Sequence, residues 1–355
     1  MLPPGSVIGI LGGGQLGRMT ALAAARLGYR CHIFTTEMDS PGAQVTPLVT
    51  VAELSDAAAL GSFAESVDVV TYETENIPLE ALDHILPHAP VHPGIEVLRV
   101  AQDRLREKDY LREIDVATAQ YREVTSAAAL GRAMRDLGGR GVLKTVRMGY
   151  DGKGQVMVSS ESDPKAAWAA MGAELGILEA YVDYRCEISV IVVRSEAGAL
   201  ATYPAVENQH ASHILDTTIA PARIAPEIAM RAEAIARHIA EKLDVVGLLA
   251  VEMFVTHDDE ILVNELAPRP HNSGHWTMDA CYTSQFEQLV RAIAGLPLGS
   301  TERHSDAVMK NLIGNDIDRW REAVAEPMTK LHLYGKREAP PGRKMGHATR
   351  LLPRR

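Results

Sequence analysis

The chain of 355 residues is 46% hydrophobic with a formal net charge of −10, which fits a soluble globular protein of two or three domains and argues against a broad nucleic-acid surface. No run is long enough to span a bilayer, the opening MLPPGSVIGIL lacks the basic start of a signal peptide, and Cys31, Cys186 and Cys281 match no metal or redox spacing. A reduced cytoplasmic protein with neither nucleic-acid nor membrane partners is expected.

Residues 7 to about 95 alternate strand and helix: VIGIL, a helix from Gln15, RCHIF, VTV, a helix from Ser55, VDVVTYE and PLEALDHIL. That rhythm predicts a parallel sheet with right-handed crossovers. Gly12, Gly14 and Gly17 satisfy GxGxxG between strand and helix, and Glu37 lies where a ribose-binding acid would belong. The same turn could approach a sugar phosphate through its backbone amides, or simply allow close helix packing. In TYETENIP, Glu73 and Glu75 fall outside a strand end, where they could bind ribose hydroxyls or stand solvated near a helix start.

One helix is expected over roughly Glu96 to Arg112, with Arg104 and Lys108 one turn apart; the two could face a phosphate together, although charges so spaced usually decorate an exposed surface. A strand at 118–124 and a helix from Ser126 lead to GVLKTVR, where Lys144 sits in an apolar context, and then to MGYDGKGQ. Gly149, Gly152 and Gly154 permit a phosphate-covering loop with Lys153 at its tip, but the Walker spacing is absent and a plain hairpin turn explains the loop as well. GILEAYVDYRCEISVIVV reads as two strands, with Glu179 to Val182 as an edge whose backbone could read an adenine and Glu187 near a ribose. An amphipathic helix over 226–244, with His238 at its surface, leads into the central stretch, Leu248 to Trp276.

There AVEMFV and ILVNEL flank THDDE and predict a hairpin. If Glu252 stands opposite Glu265, both carboxylates share a face among apolar neighbours, and the pair then calls for a proton or a cation. Hard oxygen ligands of this kind suit Mg²⁺ carrying nucleotide phosphates. The run that follows puts Arg269, His271, Asn272 and Ser273 just beyond the strand, placed to hold anionic groups.

Taken together, GGGQLGRM, TYETEN, KTVRMGYDGKGQ, LEAYV, AVEMFV, NELAPRPHNSGHW and PGRKMGH resemble the 5-(carboxyamino)imidazole ribonucleotide synthetases, ATP-grasp carboxylases of bacterial and fungal purine synthesis. The resemblance spans nearly the whole chain. It implies a fold of mixed α/β and α+β class: a doubly wound parallel-sheet domain over 1–95, an ATP-grasp portion with an inserted small subdomain over 96–295, and a small C-terminal domain over 296–355. It further implies ATP- and bicarbonate-dependent carboxylation of 5-aminoimidazole ribonucleotide, with ATP and Mg²⁺ (or Mn²⁺) as cofactors, in a cytoplasmic homodimer.

Carried over by the resemblance, Arg104, Lys144 and the loop Gly149, Tyr150, Asp151, Gly152, Lys153, Gly154 and Gln155 match the ATP phosphate clamp. Glu179, Ala180, Tyr181 and Val182 match the adenine edge, Glu187 the ribose contact, His210 and Asn264 further nucleotide contacts, and Glu252 and Glu265 the metal ligands, Glu265 touching the nucleotide side too. The ribonucleotide side comprises Gln15, Glu73, Tyr150, Asp151, Lys153, Arg269, His271, Asn272, Ser273, Arg343 and Lys344; of these Arg269, His271 and Lys344 are the catalytic candidates. Two departures stand out. His213 replaces a more usual glycine in ENQHASHILD, and the chain ends soon after PGRKMGH, so a short C-terminal domain is expected. A formate-dependent glycinamide ribonucleotide transformylase would keep the acid pair but change the substrate strip, a nicotinamide-dependent dehydrogenase would leave MGYDGKGQ idle, and a non-catalytic nucleotide sensor would bind ATP without turnover.

Overall fold

The computed structural model describes residues 1–149 and 154–355. The N-terminal strands form a four-stranded parallel sheet in the order Leu48–Val51, Arg30–Thr35, Val7–Leu11, Val69–Tyr72. Alternation along Val7–Leu11 explains why both faces are covered: Val7 and Leu11 join Leu60, Phe63 and Ala64 of helix Ala57–Glu65, whereas Ile8 and Ile10 join Leu16 and Met19 of helix Gln15–Arg26. The second of these cores continues through Phe286 and Leu289 of helix Gln285–Ile293 to Ile191, Leu248 and Ala250. The glycine turn is thereby anchored beside the central hairpin.

A small antiparallel sheet, in the order Tyr121–Val124, Gly176–Ala180, Gly141–Thr145, Gln155–Val158, packs its Leu143 and Leu178 against helices Ala127–Asp136 and Pro164–Met171. Its other face carries Lys144 and Glu179. The remaining strands make one nine-stranded antiparallel sheet running from Ile261–Ala267 through Gly247–Thr256, Tyr184–Arg194, Val206–Ala211, Ile214–Ala220, Asp306–Ile313 and Lys344–Leu352 to Thr329–Leu333, with Leu200–Thr202 paired to Tyr184–Arg194. The C-terminal strands thus extend the same sheet that holds the hairpin. Helix Pro226–Lys242 covers it with Ile228, Ala232, Ala236, Ile239 and Ala240, the one-sided spacing expected of an amphipathic helix. His238 is half-buried there and lies 3.0 Å from the Ile114 carbonyl. Among the described residues no helix is long and apolar enough to cross a membrane.

Two local expectations are corrected. The single helix over 96–112 is two helices, Ile95–Ala101 and Arg104–Glu113, because Asp103 caps the second by accepting the Arg106 amide at 3.1 Å. The restart turns Arg104, Glu107, Lys108 and Leu111 inward, so Lys108 is 1% exposed rather than a surface charge. The stretch Glu179–Val182 is not a sheet edge at its start either: Gly176–Ala180 pairs on both sides. The departure at His213 proves compatible with the fold. Ser212 and His213, with φ of 50° and 65°, form a two-residue left-handed turn joining Val206–Ala211 to Ile214–Ala220.

At the glycine turn, Glu73 accepts the Gly14 amide and, at 2.8 Å, the Gly17 amide. Gly12 has φ +109°, and a Cβ there would lie 2.4 Å from Glu73 Cγ. Gly12→Ala should therefore cost about 1–3 kcal/mol of stability, read as a lower urea midpoint at unchanged slope. Gly61→Ala, in helix Ala57–Glu65 with nothing within 4 Å of the new methyl, should be neutral or stabilising by up to about 1 kcal/mol.

Candidate active site

The hairpin pairs Glu252 directly with Glu265 in antiparallel register, the arrangement read from the sequence. Immediately beyond, the register slips so that Met253 faces Val263. Asn264 is the extra residue of a β-bulge. Because of it, Val263 and Ile261 keep their side chains in the core with Val251 and Met253, while the carboxylate of Glu265 is released to the opposite face beside Glu252. The buried Oδ1 of Asn264 finds no hydrogen-bond partner among the described residues. The bulge thus pairs two carboxylates beside a residue with an unpartnered amide oxygen, and hard oxygen donors of this kind fit a divalent cation such as Mg²⁺.

Cations converge on these acids from other elements. Arg104 Nη1 lies 3.0 Å from Glu265 Oε2, and its Nη2 donates to the Gly149 carbonyl at 3.3 Å. Lys144 donates to Glu179 Oε2 at 2.8 Å, and Lys108 lies 3.9 Å from Glu179 Oε1 while donating to the Asn264 and Val263 carbonyls at 2.6 and 3.3 Å. Burial raises the Glu179 carboxyl, but Lys108 and then Lys144 overcome it and hold it at about 2; Glu265, raised by burial too, is held at about 2 chiefly by Arg104 and Lys144. Glu107 goes the other way. Burial pushes it up to about 8 against the pull of Lys108, and its Oε2 accepts the Leu266 amide at 2.8 Å.

On the far side of the hairpin, His210 Nδ1 lies 2.6 Å from Glu187 Oε2, and Tyr184 donates to Glu187 Oε1 at 2.5 Å. Burial lowers the His210 imidazole, but the Glu187 contact outweighs it and the net shift is upward. Beyond Gly176–Ala180, the Ala180 and Tyr181 amides donate to Gln120 and Arg140 carbonyls, and the Arg140 guanidinium lies 3.5 Å over the Tyr181 ring. Val182 lies in the link to strand Tyr184–Arg194. Gly154 accepts the Thr145 amide, and Gln155 reaches His213 at 3.5 Å. Tyr150, Asp151, Gly152 and Lys153 lie outside the described residues.

A cavity of about 370 Å³ opens at the glycine turn, lined in part by Gly13, Gln15, Glu73, Lys336 and Arg343. Since Glu73 already takes the Gly14 and Gly17 amides, the phosphate position of a dinucleotide fold is filled by the chain's own carboxylate. Glu37 is an exposed residue on the rim. Arg269 is held in a two-pronged ion pair by Glu75, with Nη2 to Oε1 at 3.0 Å. His271 Nε2 lies 2.8 Å from Glu252 Oε1. Both amide atoms of Asn272 are buried with no partner among the described residues. Ser273 is 0% exposed, and its hydroxyl bridges His271 Nδ1 at 2.8 Å and Ser189 Oγ at 2.7 Å. Lys344 begins the strand beside the cavity, and its carbonyl accepts Lys336 Nζ at 2.7 Å.

Sequence reasoning did not single out Lys336, Glu107 or the buried role of Lys108. Burial lowers the Lys336 ammonium to about 8. A cluster of Asp279, His332 and His347 lies deeper. In it His332 Nε2 bonds Asp279 at 2.8 Å, His347 Nδ1 bonds Tyr334 at 2.8 Å, the two rings stack at 4.6 Å and 19°, and His347 Nε2 is buried with no partner among the described residues.

Family models match three successive stretches: a ribonucleotide synthetase preATP-grasp domain over 6–102, an ATP-grasp domain over 109–286, and a phosphoribosylaminoimidazole carboxylase C-terminal domain over 307–354. The chain is 48% identical to the N5-carboxyaminoimidazole ribonucleotide synthase of Brucella melitensis, over 99% of its own length and 98% of the relative's. The chain belongs to the N5-carboxyaminoimidazole ribonucleotide synthase family. The family relative from Bacillus subtilis is 45% identical over 98% of this chain and 91% of its own. Among solved structures, the ADP complex of an N5-carboxyaminoimidazole ribonucleotide synthetase superposes with a TM-score of 0.96 at 46% identity, over 100% of this chain and 94% of the other. The Aspergillus clavatus N5-carboxyaminoimidazole synthase, in complex with ADP and 5-aminoimidazole ribonucleotide, gives 0.93 at 32% identity, over 98% and 94%.

The depressed Glu179 carboxyl makes the site a source of stability. A carboxylate held at about 2 against an ordinary 4.5 contributes about 3 kcal/mol above pH 4.5, lost as pH falls toward 2. Glu179→Gln should therefore be less stable than the parent by about that amount at pH 7. Urea unfolding of the two proteins at pH 7, 4 and 3 should show the gap narrowing with acid; a constant gap would refute the assigned origin.

Proposed function

We infer that this chain is an ATP-dependent carbon–nitrogen ligase of purine synthesis, which carboxylates 5-aminoimidazole ribonucleotide with bicarbonate to give 5-(carboxyamino)imidazole ribonucleotide, ADP and phosphate. The observation that carries the reading is the bulged hairpin, which gathers Glu252, Asn264 and Glu265 opposite the cations Arg104 and Lys144 in a chain of this family.

In this reading Arg104, Lys144 and the loop 149–155 clamp the ATP phosphates, Glu179 to Val182 border the adenine, and Glu187, with His210, faces the ribose. Glu252, Glu265 and Asn264 would hold Mg²⁺, or Mn²⁺ in its place, which neutralises charge on the transferring phosphoryl group when bound. A bicarbonate oxygen attacks the γ-phosphorus, the bond to the ADP oxygen breaks, and carboxyphosphate forms. Its carbon, directly or as CO₂ released within the site, bonds to the exocyclic amine; phosphate leaves and the amine gives up a proton. Arg269, oriented by Glu75, and His271, beside Glu252, hold the carboxylate oxygens of this intermediate in this reading, which their contacts support. The ribonucleotide takes the cavity of Gln15, Glu73, Lys336 and Arg343, with Lys344 at its edge. Closing that cavity from water protects the labile anhydride.

ADP release at controlled bicarbonate should rise strongly on adding 5-aminoimidazole ribonucleotide and give one ADP per carbamate. Glu265→Gln should lower kcat by roughly 10²-fold or more, the scale of losing a preorganised charge contact, without loss of the folded circular dichroism spectrum. Release indifferent to the ribonucleotide would overturn the substrate assignment; near-normal turnover in folded E265Q would overturn the metal assignment.

A further inference from the structure

Tyr184 and Glu187 lie three residues apart on one strand, a spacing that in regular pleating sends side chains to opposite faces. Here they share a face. The register against Gly247–Thr256 explains it: Glu187 pairs with Phe254 and Cys186 with Val255, but Tyr184 pairs with Thr256, which leaves Arg185 as the extra residue of a bulge. Phe254 and Thr256, two apart, point the same way, and so therefore do Glu187 and Tyr184. Glu252 points to this face too, with Glu265 beside it. Glu187 thus stands two residues, about 7 Å, further along the sheet than Glu252.

The Tyr184 ring lies on Phe254, centroids 4.7 Å apart at 17°, and from there its hydroxyl donates to Glu187 Oε1 at 2.5 Å. His210 reaches the other oxygen, Nδ1 to Oε2 at 2.6 Å. One oxygen is held from its own strand and the other from the neighbouring strand. An ionised carboxylate offers about four acceptor positions. Two are taken, and one is left on each oxygen. The Glu187 side chain is 22% exposed, so these positions stand open to a ligand. Two adjacent acceptors fixed in one plane match the two hydroxyls of a vicinal diol. Without both grips the carboxylate turns in the broad, weakly restrained torsion of a glutamate end group, and each hydroxyl meets a less well-aimed acceptor.

We propose that Tyr184 is a positioning residue that sets the sugar specificity of the nucleotide site: with His210 it locks the plane of Glu187, which then accepts both ribose hydroxyls and favours a ribonucleoside triphosphate over its deoxy counterparts. This rests on the nucleotide site inferred above, and adds to it a residue that acts only through Glu187 and by its hydroxyl alone.

Tyr184→Phe removes that hydroxyl and keeps the stacked ring. ADP release by the full chain is followed at saturating 5-aminoimidazole ribonucleotide and bicarbonate, with ATP, 2′-deoxyATP or 3′-deoxyATP. The KM for ATP should rise roughly three- to tenfold, the scale of one lost hydrogen bond, with kcat much less changed. The preference in kcat/KM for ATP over at least one deoxy analogue should shrink by the same factor. Phe254→Leu leaves the hydroxyl but takes away the surface its ring rests on, and should shift the preference in the same direction, which gives a second reading if Y184F does not fold. A folded Y184F or F254L that keeps the parent's preference overturns the proposal, even where its urea midpoint has fallen, since a merely structural role would move the midpoint alone. A parent with no preference for ATP over either analogue overturns it as well. A parent that releases no ADP from ATP strikes the nucleotide site itself, and the proposal falls with it.

Discussion

The interaction on which the rest depends is the buried charge cluster between the two antiparallel sheets. Arg104 and Lys108 come from one helix, Lys144 and Glu179 from the small sheet, and Glu265 from the large one. At Lys108 and Glu179, where the cluster is driest, an isolated charge would be strongly unfavourable, so the helix and the small sheet are obliged to meet there. The cations that hold these acids down are of the kind that suits nucleotide phosphates. Within the chain they are paired with one another; under the proposed function, a metal on the acids and phosphates on the cations would let both sets exchange partners without any charge being left uncompensated.

How much of this was legible in the sequence depended on the range of the interaction. The alternating parallel sheet, the helix expected over 226–244 and found as Pro226–Lys242, and the opposition of Glu252 and Glu265 follow from local periodicity, and the structure bears them out. The split at Asp103 left only a capping residue as its sign, within a run of charges that otherwise continues as helix. The burial of Lys108 could not be read at all, because its partners, the carbonyls at 263 and 264, lie some 155 residues away. Ser273 was legible as part of the polar run, but its contact with Ser189, 84 residues away, was not. Lys336 belongs to no motif, and its proximity to Glu73 exists only once the C-terminal segment has returned to the glycine turn.

The glycine turn carries a more general lesson about motifs. GxGxxG specifies a nest of backbone amides and room above it, not the identity of the anion that fills it. Here the nest is taken by Glu73, which approaches so closely that side chains at Gly12 and Gly14 would collide with it. The same pattern that marks a cofactor site elsewhere becomes a way of fastening one loop beside the cavity at the turn.

The strand Lys344–Leu352 lies inside the large sheet, between Asp306–Ile313 and Thr329–Leu333. Both of its neighbours are synthesised before it. Until it arrives, each presents an unsatisfied backbone edge to the cell, and the pocket contributed by Lys336 and Arg343 has no wall to rest on. Nascent chains should therefore pass through a period in which the N-terminal sheet and hairpin are complete while these edges stay open to adventitious pairing. That is the interval in which such a protein would most need a chaperone.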